Sequence, residues 1–171
     1  MCCGTGYNGG DGLCAARHLH NLGYALHVVL AGRIDQLRDE PMMYATMVQR
    51  LGIPLTELTG PTDLALVESW AASSALIIDA LLGIGVRGAV REPIASIIDC
   101  LNASGKPIVA ADIPSGLDGD TGLPQGRAVK ATVTVTFGLP KRGCVEAQGP
   151  AHVGTLMVDS ITIPQTLLER S

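Results

Sequence analysis

The feature that most constrains the fold is a glycine-rich stretch near the start of the chain, Gly4-Thr5-Gly6-Tyr7-Asn8-Gly9-Gly10-Asp11-Gly12. Glycine has no Cβ atom, so it suits tight turns and places where a ligand touches the backbone. A good helical run, residues 13–22, follows directly. A glycine-rich loop that opens a helix offers unpaired N–H groups and the positive end of the helix dipole to an anion. The stretch therefore predicts a loop over residues 4–12 that binds a phosphate or a dinucleotide.

Beyond this stretch, apolar runs alternate with helical ones. The predicted strands are residues 24–30, 53–58, 75–79, 107–111, 131–137 and 154–158. The predicted helices are residues 39–51, 63–72 and 93–102. This alternation predicts a three-layer αβα Rossmann-like domain, with a mostly parallel sheet and helices on both of its faces.

The chain is predicted to form a single domain, residues 1–171, whose first strand is short. Only Met1, Cys2 and Cys3 precede the glycine-rich stretch, whereas a strand usually takes about five or six residues. We therefore expect that an N-terminal segment of this domain is missing from the chain.

Composition excludes several classes of function. The net charge is −4 at pH 7, and the sequence has no basic clusters, so we expect no nucleic acid and no anionic membrane as partners. The five cysteines form no CxxC pair, which argues against a disulfide framework or a zinc site and for a reducing compartment. Without a signal peptide or an apolar run of about 18 to 20 residues, the predicted location is the cytoplasm.

Four polar or glycine-rich segments follow predicted strands, namely residues 4–12, 79–91, 112–122 and 138–143. In open α/β sheets, ligands bind beyond the carboxyl ends of the strands, so these segments are expected to meet at one site. Asp79 and Asp112 each end an apolar strand and are candidates for a metal ligand or a general acid/base, with loop bracing as the alternative. Asn8, Asp79 and Ser115 offer only hard oxygen atoms, which suit an alkali or alkaline-earth cation.

Two further residues and one motif leave alternatives open. Lys141 could contact a phosphate or substrate, or be a solvated loop lysine, and Arg91 could cap a helix or face the ligand. Gly4, Gly6 and Gly9 match GxGxxG, but the acid expected about 20 residues later for an adenosine ribose is poorly matched. A conventional NAD dehydrogenase is therefore disfavoured.

The four segments also carry longer motifs in a fixed order. These are GTGYNGGDGL at residues 4–13, DALLGIGVRG at 79–88, DIPSGL with DTG at 112–122, and TVTFGLPKRG at 134–143. Together they resemble the NAD(P)H-hydrate epimerases, also called YjeF N-terminal domains. That family interconverts the R and S epimers of NADHX and NADPHX, which are hydrated and damaged nicotinamide cofactors. A dehydratase that accepts one epimer completes the repair.

The resemblance implies residues for each role. The implied substrate-binding residues are Tyr7, Asn8, Gly9, Gly10, Asp11, Gly83, Ile84, Gly85, Val86, Arg87, Gly88, Ala89, Asp112 and Lys141. The implied ligands of a potassium ion are Asn8, Asp79 and Ser115. Asp112 would contact the substrate near the chemistry, and we hypothesise that it is the catalytic acid and base. Two positions depart from the family's pattern, because Tyr7 replaces an asparagine and Ile84 replaces a common threonine.

The resemblance also names partners and an alternative. The expected functional partner is the NAD(P)HX dehydratase, and a homodimer is expected if the absence of an N-terminal segment exposes an apolar patch that pairs two copies. The alternative is a non-catalytic nucleotide-binding or dimerisation module on the same fold. Such a module would be expected to lose the polar site residues, whereas Asn8, Asp11, Asp79, Asp112 and Ser115 are all present.

Overall fold

A computed structural model describes residues 1–60 and 63–168 of the chain. The strands in these ranges are β1 (Cys2–Cys3), β2 (Val28–Ala31), β3 (Leu55–Leu58), β4 (Ile77–Ala80), β5 (Ile108–Ala111), β6 (Val133–Phe137) and β7 (Thr155–Asp159). They form one sheet with the order β3-β2-β1-β4-β5-β6-β7. Every neighbouring pair is parallel, so the predicted Rossmann-like class is confirmed.

Helices connect most of these strands. The longer ones are α1 (Tyr7–Asn21), α2 (Asp39–Arg50), α3 (Leu64–Ser73) and α4 (Ile94–Ala103), and the shorter ones are α5 (Arg142–Val145), α6 (Pro150–Val153) and α7 (Gln165–Leu168). A 3₁₀ turn, Ile34–Gln36, precedes α2. None of the helices within residues 1–60 and 63–168 has the length and apolar character needed to cross a membrane.

The helices cover the sheet on both faces, and alternate residues of β1 and β2 point to opposite cores. On one face, Cys3 and Leu30 pack in a cluster with Leu13 of α1 and with Ala45 of α2. On the other face, Cys2, Val29 and Ile77 pack in a cluster with α3 and α4. Ile98 and Leu101 of α4 are almost fully buried there, and burial of such side chains contributes about 1.5–3 kcal/mol each. This is the predicted three-layer arrangement.

The prediction of a loop over residues 4–12 is wrong for residues 7–12, because α1 already begins at Tyr7. The glycines there let three backbone segments approach closely. A Cβ on Gly9 would lie 1.8 Å from the carbonyl oxygen of Gly4, and a Cβ on Gly4 would lie 1.9 Å from that of Leu81. A Cβ on Gly12 would lie 2.6 Å from the Ala80 Cβ. These glycines therefore serve helix-to-sheet packing, and the packing holds the start of α1 against the ends of β1 and β4.

The first strand has two residues, as its short sequence leads one to expect, and it lies in the middle of the sheet. Cys2 is in register with Val29 of β2 on one side and with Asp79 of β4 on the other. The segments that follow β1, β4, β5 and β6 consequently leave the same edge of the sheet, where the candidate site lies.

Candidate active site

A cleft of about 790 Å³ opens at the carboxyl ends of the strands. It is lined by Thr5, Gly6, Tyr7, Asn8, Asp11, Leu81, Leu82, Gly83, Ile84, Gly85, Val86, Arg87, Ala89, Val90, Arg91, Glu92, Ile94 and Asp112. These residues come from the start of α1, from the loop after β4 and from the turn after β5. A cleft of this size lies in the range of small-molecule and cofactor sites.

Behind the cleft, Asp79 and Ser115 form a buried polar unit at the end of β4. Asp79 is completely buried. Its Oδ1 accepts a hydrogen bond from Ser115 Oγ at 2.6 Å, and its Oδ2 accepts one from the Ser115 N–H at 2.8 Å. Burial raises the pKa of Asp79 to about 6, although the hydrogen bonds from Ser115 and Leu81 partly oppose that rise. The unit holds a carboxyl group and a hydroxyl group rigidly at the base of the cleft.

Asn8 lies beside this unit and contributes an amide oxygen that accepts no hydrogen bond from the described residues. Its Nδ2 donates to the carbonyl oxygen of Leu82 at 2.9 Å, and Ser115 Oγ accepts the Leu82 N–H at 2.8 Å, so both side chains meet at the Leu82 backbone. Asn8 Oδ1 is buried, and no donor in the described part of the chain reaches it. A buried, unpaired amide oxygen is costly unless a ligand satisfies it. The oxygens of Asn8, Asp79 and Ser115 therefore fit a hard cation such as an alkali ion.

Gly83 permits this approach between α1 and the loop after β4. A Cβ on Gly83 would lie 3.1 Å from the Asn8 Cβ, which is closer than most Cβ contacts. The neighbours of this contact, Tyr7 and Ile84, are both exposed and both line the cleft. The contact thus joins the two walls of the cleft at its base.

Asp112 occupies an unusual backbone conformation at the end of β5. Its φ is +66°, and the N–H of Ile113 donates to the carbonyl oxygen of Ala111 across it at 2.8 Å. Left-handed backbone is uncommon for residues other than glycine, although aspartate adopts it more readily than most. The turn directs residue 112 away from the strand and into the cleft lining.

One oxygen of Asp112 is anchored by three donors. Oδ1 accepts the Phe137 N–H at 2.9 Å, Thr136 Oγ1 at 3.4 Å, and Lys141 Nζ in an ion pair. Lys141 Nζ also donates to the Phe137 carbonyl oxygen at 2.8 Å. The side chain of Asp112 is 15% exposed, and no donor among residues 1–60 and 63–168 reaches its Oδ2. Asp112 is thus a fixed carboxyl group with one oxygen available to a ligand.

The charged side chains of the cleft differ in their bonding. Arg87 Nη1 donates to the Ile84 carbonyl oxygen at 3.3 Å and to the Val86 carbonyl oxygen at 3.1 Å, so it braces its own loop. The guanidinium of Arg91 has no hydrogen-bond or ion-pair partner within the described ranges, and Arg91 is exposed. At the start of α1, Gly6 provides the N-cap without a side-chain cap, which leaves N–H groups of the first turn for an anion.

The sequence places this chain in a known family. The family model described as YjeF-related protein N-terminus matches residues 1–143. The chain belongs to the YjeF-related N-terminal family.

Similar proteins extend this assignment. A bifunctional NAD(P)H-hydrate repair enzyme Nnr from Pyrobaculum aerophilum is 42% identical over 164 residues, which are 95% of this chain and 32% of that enzyme. An NAD(P)H-hydrate epimerase from Limosilactobacillus fermentum is 39% identical over 155 residues, covering 91% of this chain and 70% of that protein. The chain thus spans about a third of the length of the repair enzymes it matches.

A solved structure agrees with the fold of this YjeF-related domain. The crystal structure of the yeast protein ynu0, YNL200c, superposes with a TM-score of 0.78 at 27% sequence identity. The match covers 95% of this chain and 66% of that chain.

The YjeF-related domain brings most of the predicted site residues together. Those that line the cleft are Tyr7, Asn8, Asp11, Gly83, Ile84, Gly85, Val86, Arg87, Ala89 and Asp112. Six others do not line it: Gly9 and Gly10 are buried in α1, Gly88 lies elsewhere in its loop, Lys141 reaches the site through Asp112, and Asp79 and Ser115 are buried behind the cleft. The sequence analysis missed cleft residues such as Thr5, Glu92 and Ile94, for which the sequence carried no chemical signal.

Proposed function

We propose that this YjeF-related domain is an NAD(P)H-hydrate epimerase, which interconverts the R and S forms of hydrated NADH and NADPH. The observation that carries the proposal is Asp112, a carboxyl group whose Oδ1 is anchored by Lys141 and Phe137 while its Oδ2 is left free beside a cofactor-sized cleft. The relative from Limosilactobacillus fermentum, named an NAD(P)H-hydrate epimerase, supports the same activity.

The substrate would lie across the start of α1 and the loop after β4. The N–H groups of the first turn of α1 suit its pyrophosphate, and the residues at this end are Tyr7, Asn8, Gly9 and Gly10. Asp11 also lines the cleft, within electrostatic range of Asp112. The loop after β4 supplies Gly83, Ile84, Gly85, Val86, Arg87, Gly88 and Ala89. Asp112 would then face the damaged nicotinamide ring, with Lys141 behind it as its ion-pair partner.

The chemistry follows from the substrate's hemiaminal carbon, which bears a hydroxyl group beside the ring nitrogen. An acid protonates the hydroxyl, the nitrogen lone pair expels it as water, and a planar iminium remains. A water molecule that loses its proton to a base then adds to the other face of the ring. Asp112 touches the reacting atoms in this proposal, and one carboxyl group can serve as acid and then as base.

A potassium ion would be held by Asn8, Asp79 and Ser115. The unsatisfied Asn8 Oδ1 beside the Asp79–Ser115 unit supports this ligand set. When bound, the ion would supply positive charge near the pyrophosphate and fix the base of the cleft. The chain's own contribution is to hold those oxygens in place through the Leu82 backbone.

The wider setting is part of the proposal. The domain would act together with an NAD(P)HX dehydratase in the cytoplasm, and the relatives named bifunctional repair enzymes support such a coupling. A homodimer is the proposed assembly, which size-exclusion chromatography with light scattering would test.

The decisive assay follows R and S NADPHX by chromatography in water enriched in ¹⁸O. We expect the domain to accelerate epimerisation, with solvent oxygen appearing in the inverted epimer. Asp112→Asn should lower kcat by roughly 100-fold or more, the usual contribution of a general acid or base, whereas Asp120→Asn, an exposed control outside the cleft, should not.

The outcomes separate the competing functions. A parent protein that binds NADPHX without turnover would support the non-catalytic module instead. Inversion without oxygen exchange would exclude the loss of water, and an Asp112→Asn variant as fast as the parent would remove Asp112 from the mechanism. If tetramethylammonium replaced potassium without loss of rate, the cation proposal would fail.

A further inference from the structure

We propose that Asp11 is a second catalytic carboxyl group of the cleft, and that Asp11 and Asp112 transfer protons on opposite faces of the ring. This inference rests on the proposed epimerase function and divides between two side chains the proton transfers given above to Asp112 alone. It uses two residues that line one cleft but belong to different walls, since Asp11 lies on α1 and Asp112 follows β5.

The stereochemistry of the reaction requires two positions for proton transfer. The hydroxyl group leaves from one face of the ring, and water must add to the other face for the configuration to invert. Asp112 is held at Oδ1 by the Phe137 N–H and by Lys141, so moving its carboxyl group from one face of the ring to the other would break these contacts. A second carboxyl group on the opposite wall of the cleft removes the need for that movement.

Asp11 has the properties of that second group. It lines the same cleft, and its carboxyl group has no hydrogen-bond donor within the described part of the chain. Partial desolvation raises the pKa of Asp11, which is exposed along one side of the cleft, and the charge of Asp112 raises it further. A carboxyl pair in which one member is anchored beside a lysine and the other is biased towards its neutral form is a recurring arrangement of acid and base.

The polar side chains near Asp11 leave its carboxyl group available for proton transfer. Tyr44 of α2 is near Asp11, and it is also near Cys14 and Arg17 of α1. None of these donates a hydrogen bond to its carboxyl group. From the other walls of the cleft come Asp112, Arg87, Arg91 and Glu92.

The proton balance closes over one inversion. Protonated Asp11 gives its proton to the hydroxyl group, the C–O bond breaks, and water leaves. A second water forms a new C–O bond on the opposite face and gives its proton to ionised Asp112. One proton has then moved from Asp11 to Asp112. Protonated Asp112 with ionised Asp11 is the state that the reverse reaction requires. The pair is therefore active when the two carboxyl groups share a single proton.

The test compares inversion with oxygen exchange in single variants, using NADPHX in ¹⁸O-enriched water. In Asp11→Asn, Asp112 can still expel and restore a hydroxyl group on its own face. We expect inversion to fall by roughly 100-fold or more, with KM within about threefold of the parent. Oxygen exchange should persist for one epimer without inversion. Asp112→Asn should retain exchange for the opposite epimer, and Asp120→Asn should behave like the parent.

The results distinguish this inference from the proposed function. If the parent epimerises and Asp11→Asn inverts at the parent rate, the role of Asp11 is refuted and the epimerase remains. A raised KM with kcat unchanged, or an equal loss of inversion and exchange for both epimers, also refutes it, because either result assigns Asp11 to binding. If the parent does not epimerise, the proposed function itself fails. Melting temperatures within about 2 °C of the parent show that the variants are folded, and Asp11→Glu should recover part of the lost inversion.

Discussion

Replacing Gly9 by alanine tests whether the close packing of α1 sets the geometry of the site. The new Cβ would lie 1.8 Å from the Gly4 carbonyl oxygen and 2.6 Å from its carbonyl carbon. Because both atoms belong to the backbone, no side chain can rotate away, and α1 must move by about 1.5 Å or more to reach ordinary contact. That movement would carry Asn8 away from Leu82, to whose carbonyl oxygen it donates at 2.9 Å.

The substitution has two opposite effects on stability, a loss from overpacking and a gain from the higher helix propensity of alanine. Alanine is favoured over glycine in a helix by about 1 kcal/mol, whereas overpacking typically costs about 1–3 kcal/mol and more where the backbone itself must shift. We expect a net loss of about 2 kcal/mol in the free energy of unfolding. For a domain of this size, that corresponds to a fall of about 4–8 °C in Tm.

Gly6→Ala is the matched control for this substitution. No atom lies within 4 Å of a Cβ at Gly6, and its φ of −90° suits any residue. Calorimetry should find a Tm close to that of the parent for Gly6→Ala and a clearly lower one for Gly9→Ala. Equal melting temperatures for the two variants would refute the packing argument.

Two further predictions concern buried charge. The pKa of Asp79 rises from 3.8 to about 6 on burial, so the folded protein binds the proton more tightly, and stability should fall by about 3 kcal/mol as the pH rises from about 4 to 6. Denaturant unfolding in tetramethylammonium buffers should show this fall in the free energy of unfolding for the parent but not for Asp79→Asn. The same pH dependence in both proteins would contradict the raised pKa of Asp79. Lys141→Met removes the ammonium group that anchors Asp112, so kcat in the NADPHX assay should fall at least tenfold while KM changes little, and an unchanged kcat would contradict the anchoring role.

The fold could be predicted from the sequence because its signals are local. Apolar runs such as residues 107–111 give buried strands, and the observed strand Ile108–Ala111 differs from that prediction by one residue. The start of α1 could not be predicted in this way, because glycine has a low helix propensity. Its helical state depends on contacts with Gly4, which in turn packs against Leu81.

The sequence could predict those site residues whose position depends only on the order and direction of the strands. Parallel strands place Asp79 and Asp112 at one edge of the sheet, whatever the conformation of their loops. The glycine-rich stretch follows β1 and therefore places Asn8 at the same edge. The ion pair between Asp112 and Lys141 was not predictable, since the two residues are 29 positions apart and meet through the turn at Asp112. The roles of the site residues remain predictions, and the experiments above test those of Asp11, Asp79, Asp112 and Lys141.

The left-handed backbone at Asp112 has a consequence for how this position can change. A residue other than glycine in that region holds about 1–3 kcal/mol of conformational strain, which the rest of the fold must offset. Glycine would adopt the same φ of +66° without that strain. It would, however, leave the Phe137 N–H and Lys141 Nζ without the carboxylate oxygen that accepts them. In this YjeF-related domain the contacts of the Asp112 side chain therefore help to offset the strain of its own backbone.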